Sequence, residues 1–421
     1  MEGDNLIVIN RKIKKQLSII AVIVMLMMTG CSNTIGQEKG NEPKAELDPV
    51  EIDNGVDFAE GSNFTEGSII TAEDIVAVYQ DIYDEAAQNN TLGSLDVIRR
   101  IVNRLGENGF SAVDNGNQID MVCPENIKQF CGKVEAQEEA EATLIVVISA
   151  DSFIKYDFTT KDGNVEVVRS YYLYRGDDLE TVSTTNYPAY TWVYSKGAYL
   201  FFEEYHMPGY DGPSGHTAIR IEPLDEMCRE FNRKYLMTIG YKLNNLFTSD
   251  WDEDNFQELN FYDLYEVLRQ MKNGQYSVAS LHEGINYEIP KSEFESVFQT
   301  FFRVDGQVLQ QFTTYHEDTE TYQYRTRGMF DFAPTPYSPY PEVISYEENQ
   351  DGTIKLTVNA VWTEGNLENA FCHEVIIRPL ENGGFQYVSN HVIPSEDNVE
   401  VTWYTERLSD DKWQEYYGGM Q

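Results

Sequence analysis

The sequence predicts an α+β fold of two units, each with helices packed on an antiparallel strand meander. Three observations predict it. Apolar residues recur at helical spacing in 72–105 and again in 291–302, and each stretch is followed by runs rich in β-branched and aromatic residues. Turn pairs such as Asp162-Gly163 and Asp351-Gly352 separate those runs. About 350 residues follow the N-terminal segment, too many for one ordinary core.

Taken in order, the first helix opens at Thr71-Ala72-Glu73-Asp74, a capping box, and Ile75, Val78, Tyr79, Ile82 and Ala86 form its apolar face. A second helix runs from Ser94 through Leu95, Ile98, Val102 and Leu105 and closes at Gly106. Residues 124–142 read as a helix with acidic residues outward, and 143–149 as a buried strand. Strands over 153–159 and 165–174 flank Lys161-Asp162-Gly163, and strands over 189–194 and 198–205 flank Ser195-Lys196-Gly197. An edge strand follows at 217–221, then a long amphipathic helix over 224–246. The second unit begins near Ser249, with helices over 253–272 and 291–302. Strands are expected over 307–316, 321–332, 353–363, 371–379, 385–393 and 399–407. Pro334, Pro336, Pro339 and Pro341 stiffen a linker or crossover. The predicted units are 69–248 and 249–421, and the second is similar in layout to NTF2-like and cystatin-like folds. That analogy carries no activity.

Ahead of the units stands a leader. Arg11, Lys12, Lys14 and Lys15 precede an apolar run over 17–28, interrupted only by Ser18. As a helix the run would be about 18 Å long, short of the roughly 30 Å hydrocarbon core of a bilayer. Met28-Thr29-Gly30-Cys31 resembles the lipobox of bacterial lipoproteins, with Met28 where Leu is commoner. The resemblance implies a signal peptide over 1–30, a diacylglycerol on the Cys31 thiol and cleavage after Gly30. Residues 31–68 are polar and aperiodic and read as a disordered tether. A flexible coil of that length reaches about 30–35 Å. The stretch from Tyr199-Leu200-Phe201-Phe202-Glu203-Glu204-Tyr205-His206 to Trp251-Asp252-Glu253 resembles an uncharacterised family of Gram-positive-type surface lipoproteins, similar in layout along most of the mature chain. That resemblance implies a surface lipoprotein and assigns no activity.

The chain carries 31 basic and 70 acidic side chains. Cleavage after Gly30 removes four basic and two acidic groups and leaves 27 against 68, a net charge of −41. A surface this anionic repels nucleic acid. Apart from Cys31 the cysteines are Cys123, Cys131, Cys228 and Cys372, too irregularly spaced for a paired zinc motif. One or two disulfides, with Cys123 and Cys131 the nearest pair, and isolated thiols both fit.

Several constellations are candidate sites. Glu203, Glu204, His206, Asp211 and His216 crowd a loop containing Gly209, Gly212 and Gly215, residue types that can ligate zinc or manganese. The spacing matches no helical His-Glu-x-x-His motif, and Ser214 lacks a nucleophile elbow. Asp250, Asp252 and Asp254 begin like a calcium loop, which then fails at Asn255 and Phe261. Tyr190, Trp192 and Tyr194 fall on one face of a strand, where they would stack on sugar rings or fill a half-buried sheet. His373 and His391 read as core or surface histidines. The expectation is a non-catalytic, cofactor-free, lipid-anchored extracytoplasmic protein with a surface protein or wall glycan as partner. The rivals are a metal-dependent surface hydrolase, with His206 and His216 as ligands and Glu204 as base, and a glycan-binding module on Tyr190, Trp192 and Tyr194.

Overall fold

Thr71 caps the first helix as its capping box requires. Its hydroxyl accepts from the Asp74 amide at 3.2 Å, and its own amide donates to the Asp74 carboxylate at 3.0 Å. Helix α1 (Ala72–Asn89) ends at Asn90 in the left-handed region, and Ser94 caps α2 (Leu95–Glu107). The computed structural model describes residues 70–418 apart from 177, 211, 257, 275–284, 329 and 332–336. The leader, Cys31 and the tether lie outside the described residues. No helix among the described residues is long and apolar enough to cross a membrane.

The first sheet runs in the order β1 (Ser111–Asp114), β2 (Ala140–Ser149), β3 (Ser152–Lys161), β4 (Asn164–Tyr174) and β5 (Leu179–Pro188). β1 pairs with β2 in parallel, and the other pairs are antiparallel. Asp162 and Gly163 join β3 to β4 at φ 51° and 76°, the two positive angles that a type I′ hairpin turn demands. Alternation along the strands divides the apolar side chains between two cores. Ile145, Val147 and Phe153 meet α1 and α2. Leu144, Val146, Tyr156 and Phe158 meet α3 (Pro124–Glu135) and a second sheet of β6 (Trp192–Tyr194), β7 (Tyr199–Glu203) and β8 (His216–Arg220).

The remaining chain forms a mixed group. It comprises α4 (Glu226–Phe231), β9 (Trp251–Asp252), α5 (Phe261–Asn273), β10 (Asn286–Pro290), α6 (Lys291–Phe301), α7 (Gly306–Phe312), β11 (Tyr315–His316) and β12 (Thr321–Arg325). Then come β13 (Tyr340–Glu348), β14 (Ile354–Val361), β15 (Cys372–Pro379), β16 (Phe385–Val392) and α8 (Asp410–Tyr417). β13 to β16 follow one another in an antiparallel sheet with β9 at its far edge, and β10, β12 and β11 form a small sheet beside α6. The core of this group draws side chains from Cys228 to Trp403, so the apolar residues of 228–247 belong to it. Strand β7 joins the two groups because both its faces are buried. Leu200 and Phe202 enter the first group, while Tyr199 and Phe201 pack with Val361 of β14 and Tyr340 of β13.

The α+β class stands as predicted, and the departures are local. The helix expected over 224–246 is only α4 plus a π turn, Asn232–Leu236. Beyond it the Asn244 amide donates to the Ile239 and Lys242 carbonyls, bonds that compete with a continued helix. Helix α5 starts at Phe261 rather than 253 because Asn260 caps the Tyr262 and Asp263 amides. The strand expected over 307–316 is mostly helix α7, capped by Asp305. Residues 399–407 form no strand. Four strands after β1 went unpredicted: β5, β9, β10 and β13. β5 is largely exposed and polar, and β13 contains Pro341, tolerated because β13 is an edge strand. Pro334 and Pro336 lie outside the described residues.

Candidate functional site

Strands β7 and β8 extend past their paired ends through the Glu204 amide, which donates to the Gly215 carbonyl at 3.0 Å. Only glycine fits there, since a Cβ on residue 215 would stand 1.9 Å from the Glu204 carbonyl oxygen. This close approach sets Glu204, His206, Tyr210 and His216 along one wall of a cavity of about 620 Å³. Strands β3, β4 and β5 supply the facing wall through Tyr156, Arg169, Thr185 and Tyr187. The turn after β1 contributes Asn115, Gly116 and Asn117, and β13 contributes Tyr340. The cavity therefore lies where the two groups of sheets meet, a common place for ligand sites.

A buried polar network forms its floor. The Asn117 amide nitrogen donates to the Ala218 carbonyl at 3.0 Å and to the Tyr340 hydroxyl at 3.2 Å, and its oxygen accepts from the Arg220 amide at 3.0 Å. Tyr340 donates to Tyr199, which donates to Glu342 at 2.8 Å. Glu342 also meets Arg220 at 2.9 Å and Arg229 at 3.3 Å, and Arg229 reaches Asp120 at 2.9 Å. Burial pushes the Glu342 carboxyl above its ordinary range, against the downward pull of the two guanidinium groups. Every member has a partner, so the network fixes β8, α4 and β13 around the cavity.

The predicted site residues separate on inspection. His216 Nε2 lies 3.4 Å from Glu364 and 3.6 Å from Glu203, while its Nδ1 is buried without a hydrogen-bond partner. The Ser214 hydroxyl donates to Glu364 at 2.7 Å. The His206 ring does not join that cluster but stacks on Tyr210, with ring centres 4.0 Å apart. Asp211 lies outside the described residues. Among the described residues no group of three or more His, Cys, Asp or Glu is arranged to hold a metal ion. The Asp250, Asp252 and Asp254 carboxylates do not converge on one point: Asp250 accepts from the Val392 amide and Asp252 from the Asp254 amide.

The expected aromatic row is divided. Trp192 packs half-buried against Phe130, Phe158 and Phe202 on the α3 side of the first sheet, and Tyr194 lies half-buried against the same core. Tyr190 precedes β6, escapes its alternation, and stacks in the open on Tyr205. Cys123, Cys131, Cys228 and Cys372 are all free thiols, Cys131 and Cys228 buried. His373 is fully buried, and His391 is exposed beside Asp250. Sequence reasoning missed Glu342 and Glu364, whose partners lie far away along the chain, and Arg169, whose side chain meets no carboxylate among the described residues. The one local signal was the turn chemistry of Asn115-Gly116-Asn117.

The chain belongs to a family of unknown function (DUF6070), whose model matches residues 67–407. No curated protein and no solved structure matches it, NTF2-like and cystatin-like structures included.

Proposed function

Taking membership of that family as the premise, we propose that this chain is a non-catalytic ligand-binding protein held at the extracytoplasmic face of a membrane through a lipid on Cys31. The supporting observation for binding is the cavity of about 620 Å³ between the sheets, walled by β3–β5 and by the β7–β8 connection. Its size falls within the range of small-molecule sites, and its aromatic rings alternate with hydrogen-bonding groups. The paired network beneath it holds the walls without using up Arg169, Tyr187, Glu204 or His206. The lipobox sequence, the polar tether and the short apolar leader support the anchor and the surface location. A thermal-shift screen of the full chain against wall fragments, sugars and short peptides tests the binding. Thr217→Trp, which fills the cavity from β8, should abolish any stabilisation seen with the wild type. Stabilisation that survives that substitution places the ligand elsewhere and rejects the reading.

A further inference from the structure

The cavity walls carry two opposite charges that do not pair with each other. Arg169 projects from β4, with Tyr156 and Thr185 as its cross-strand neighbours. No carboxylate among the described residues lies within ion-pair distance of it, although the chain holds 70 acids and 31 bases. The Thr185 hydroxyl beside it is buried and has no hydrogen-bond partner. Glu204 stands in the facing wall, likewise without a basic partner among the described residues. The Tyr187 hydroxyl, which lines the same cavity, feels both charges. Burial raises its pKa first, then Tyr156 and Glu204, while Arg169 lowers it.

Resting on the ligand-binding reading, we infer that the cavity takes a zwitterion of the amino acid or short-peptide class, its carboxylate on Arg169 and Thr185 and its ammonium on Glu204. A half-buried guanidinium left unpaired is suited to a carboxylate, which it grips through two parallel hydrogen bonds. The whole-chain field argues in the same direction. A surface this acidic repels a simple anion at long range, whereas a zwitterion of zero net charge approaches unopposed. A neutral sugar would leave both charges uncompensated inside the cavity. The volume accommodates a free amino acid and also a peptide of a few residues.

The test is calorimetric titration of the full chain with three probe sets: a pool of free α-amino acids, a pool of free tripeptides, and N-acetylglucosamine oligomers. Each of the first two is repeated N-acetylated and C-amidated. We expect one free pool to bind and both of its capped forms to bind about tenfold more weakly. Which free pool binds separates amino acid from peptide. Arg169→Gln should erase the preference over the amide, and Glu204→Gln the preference over the N-acetyl form. Arg169→Lys, which keeps the charge, should recover part of the first. Equal binding of free and capped pools overturns the inference, as does binding of the sugar oligomers alone. The latter, if abolished by Thr217→Trp, leaves the cavity as the seat. Heat from a free pool that Thr217→Trp leaves intact overturns both readings, and so does the absence of heat from every probe set.

Discussion

Lowering the pH should weaken the core beneath the β13–β16 sheet through one imidazole. His373 on β15 is fully buried among Tyr241, Phe247 and Phe371, none of them charged. Its Nδ1 donates to the Asn390 side-chain oxygen at 2.6 Å, which leaves Nε2 to accept from the Tyr241 hydroxyl at 2.9 Å. Burial pushes the His373 imidazole down to about 4, the Asn390 bond acting the other way. The unfolded chain thus takes up a proton near pH 6.5 that the folded chain refuses until about pH 4. Stability from this group is complete above pH 6.5 and erodes as the pH falls through that window. Linkage between those values gives a loss of about 2 kcal/mol from pH 7 to pH 5, approaching about 3 kcal/mol at pH 4 and below. Urea unfolding followed by tryptophan fluorescence at pH 7, 6 and 5 measures it, with His373→Gln as the reference that cannot titrate. The wild-type-minus-variant difference should shrink by about that amount on acidification. Parallel slopes for the two proteins, or a His373 imidazole resonance titrating above pH 6, would refute the argument.

Three further outcomes are expected, two from the geometry and one from the lipobox. Asp263→Asn should cost about 3–5 kcal/mol, because the carboxylate is buried between Arg327 at 2.7 Å and Arg407 at 2.7 Å and its loss strands both guanidinium groups; thermal unfolding reads the cost. Gly215→Ala should lose about 2 kcal/mol or more, since its Cβ collides with the Glu204 carbonyl and the β7–β8 connection must open; hydrogen exchange over 203–218 should accelerate with it. Cys31→Ala should release the chain from the membrane fraction and abolish labelling by a tagged fatty acid, and a wild type that never labels contradicts the anchor.

What was legible in the sequence was whatever is decided locally. Asp162-Gly163 announced its hairpin because two successive positive φ angles leave few other choices, and Thr71 with Asp74 announced a helix because their hydrogen bonds close within one turn. Where local and distant forces compete, the reading failed. The apolar spacing over 224–246 is helical, yet Asn244 and Asn245 tie that segment to its own carbonyls and to Ser249. Strand β5 was hidden because an exposed edge of Thr and Ser needs no apolar alternation. The site divides in the same way. Glu204, His206 and His216 were visible as a polar cluster between glycines, and they do line one wall. Arg169 was invisible because its importance is the absence of a partner, a property that exists only after folding. Glu342 was hidden for the opposite reason, since its partners Arg220 and Arg229 sit more than a hundred residues earlier.

Hydrogen exchange of the full chain, with and without a peptide-rich extract of the cell envelope, tests most directly whether the space between the sheets is a ligand seat. Protection confined to 115–117, 185–187 and 204–218 is the predicted result, with the segment around Asp263 unchanged. Protection that falls elsewhere, or none with any extract, would contradict it.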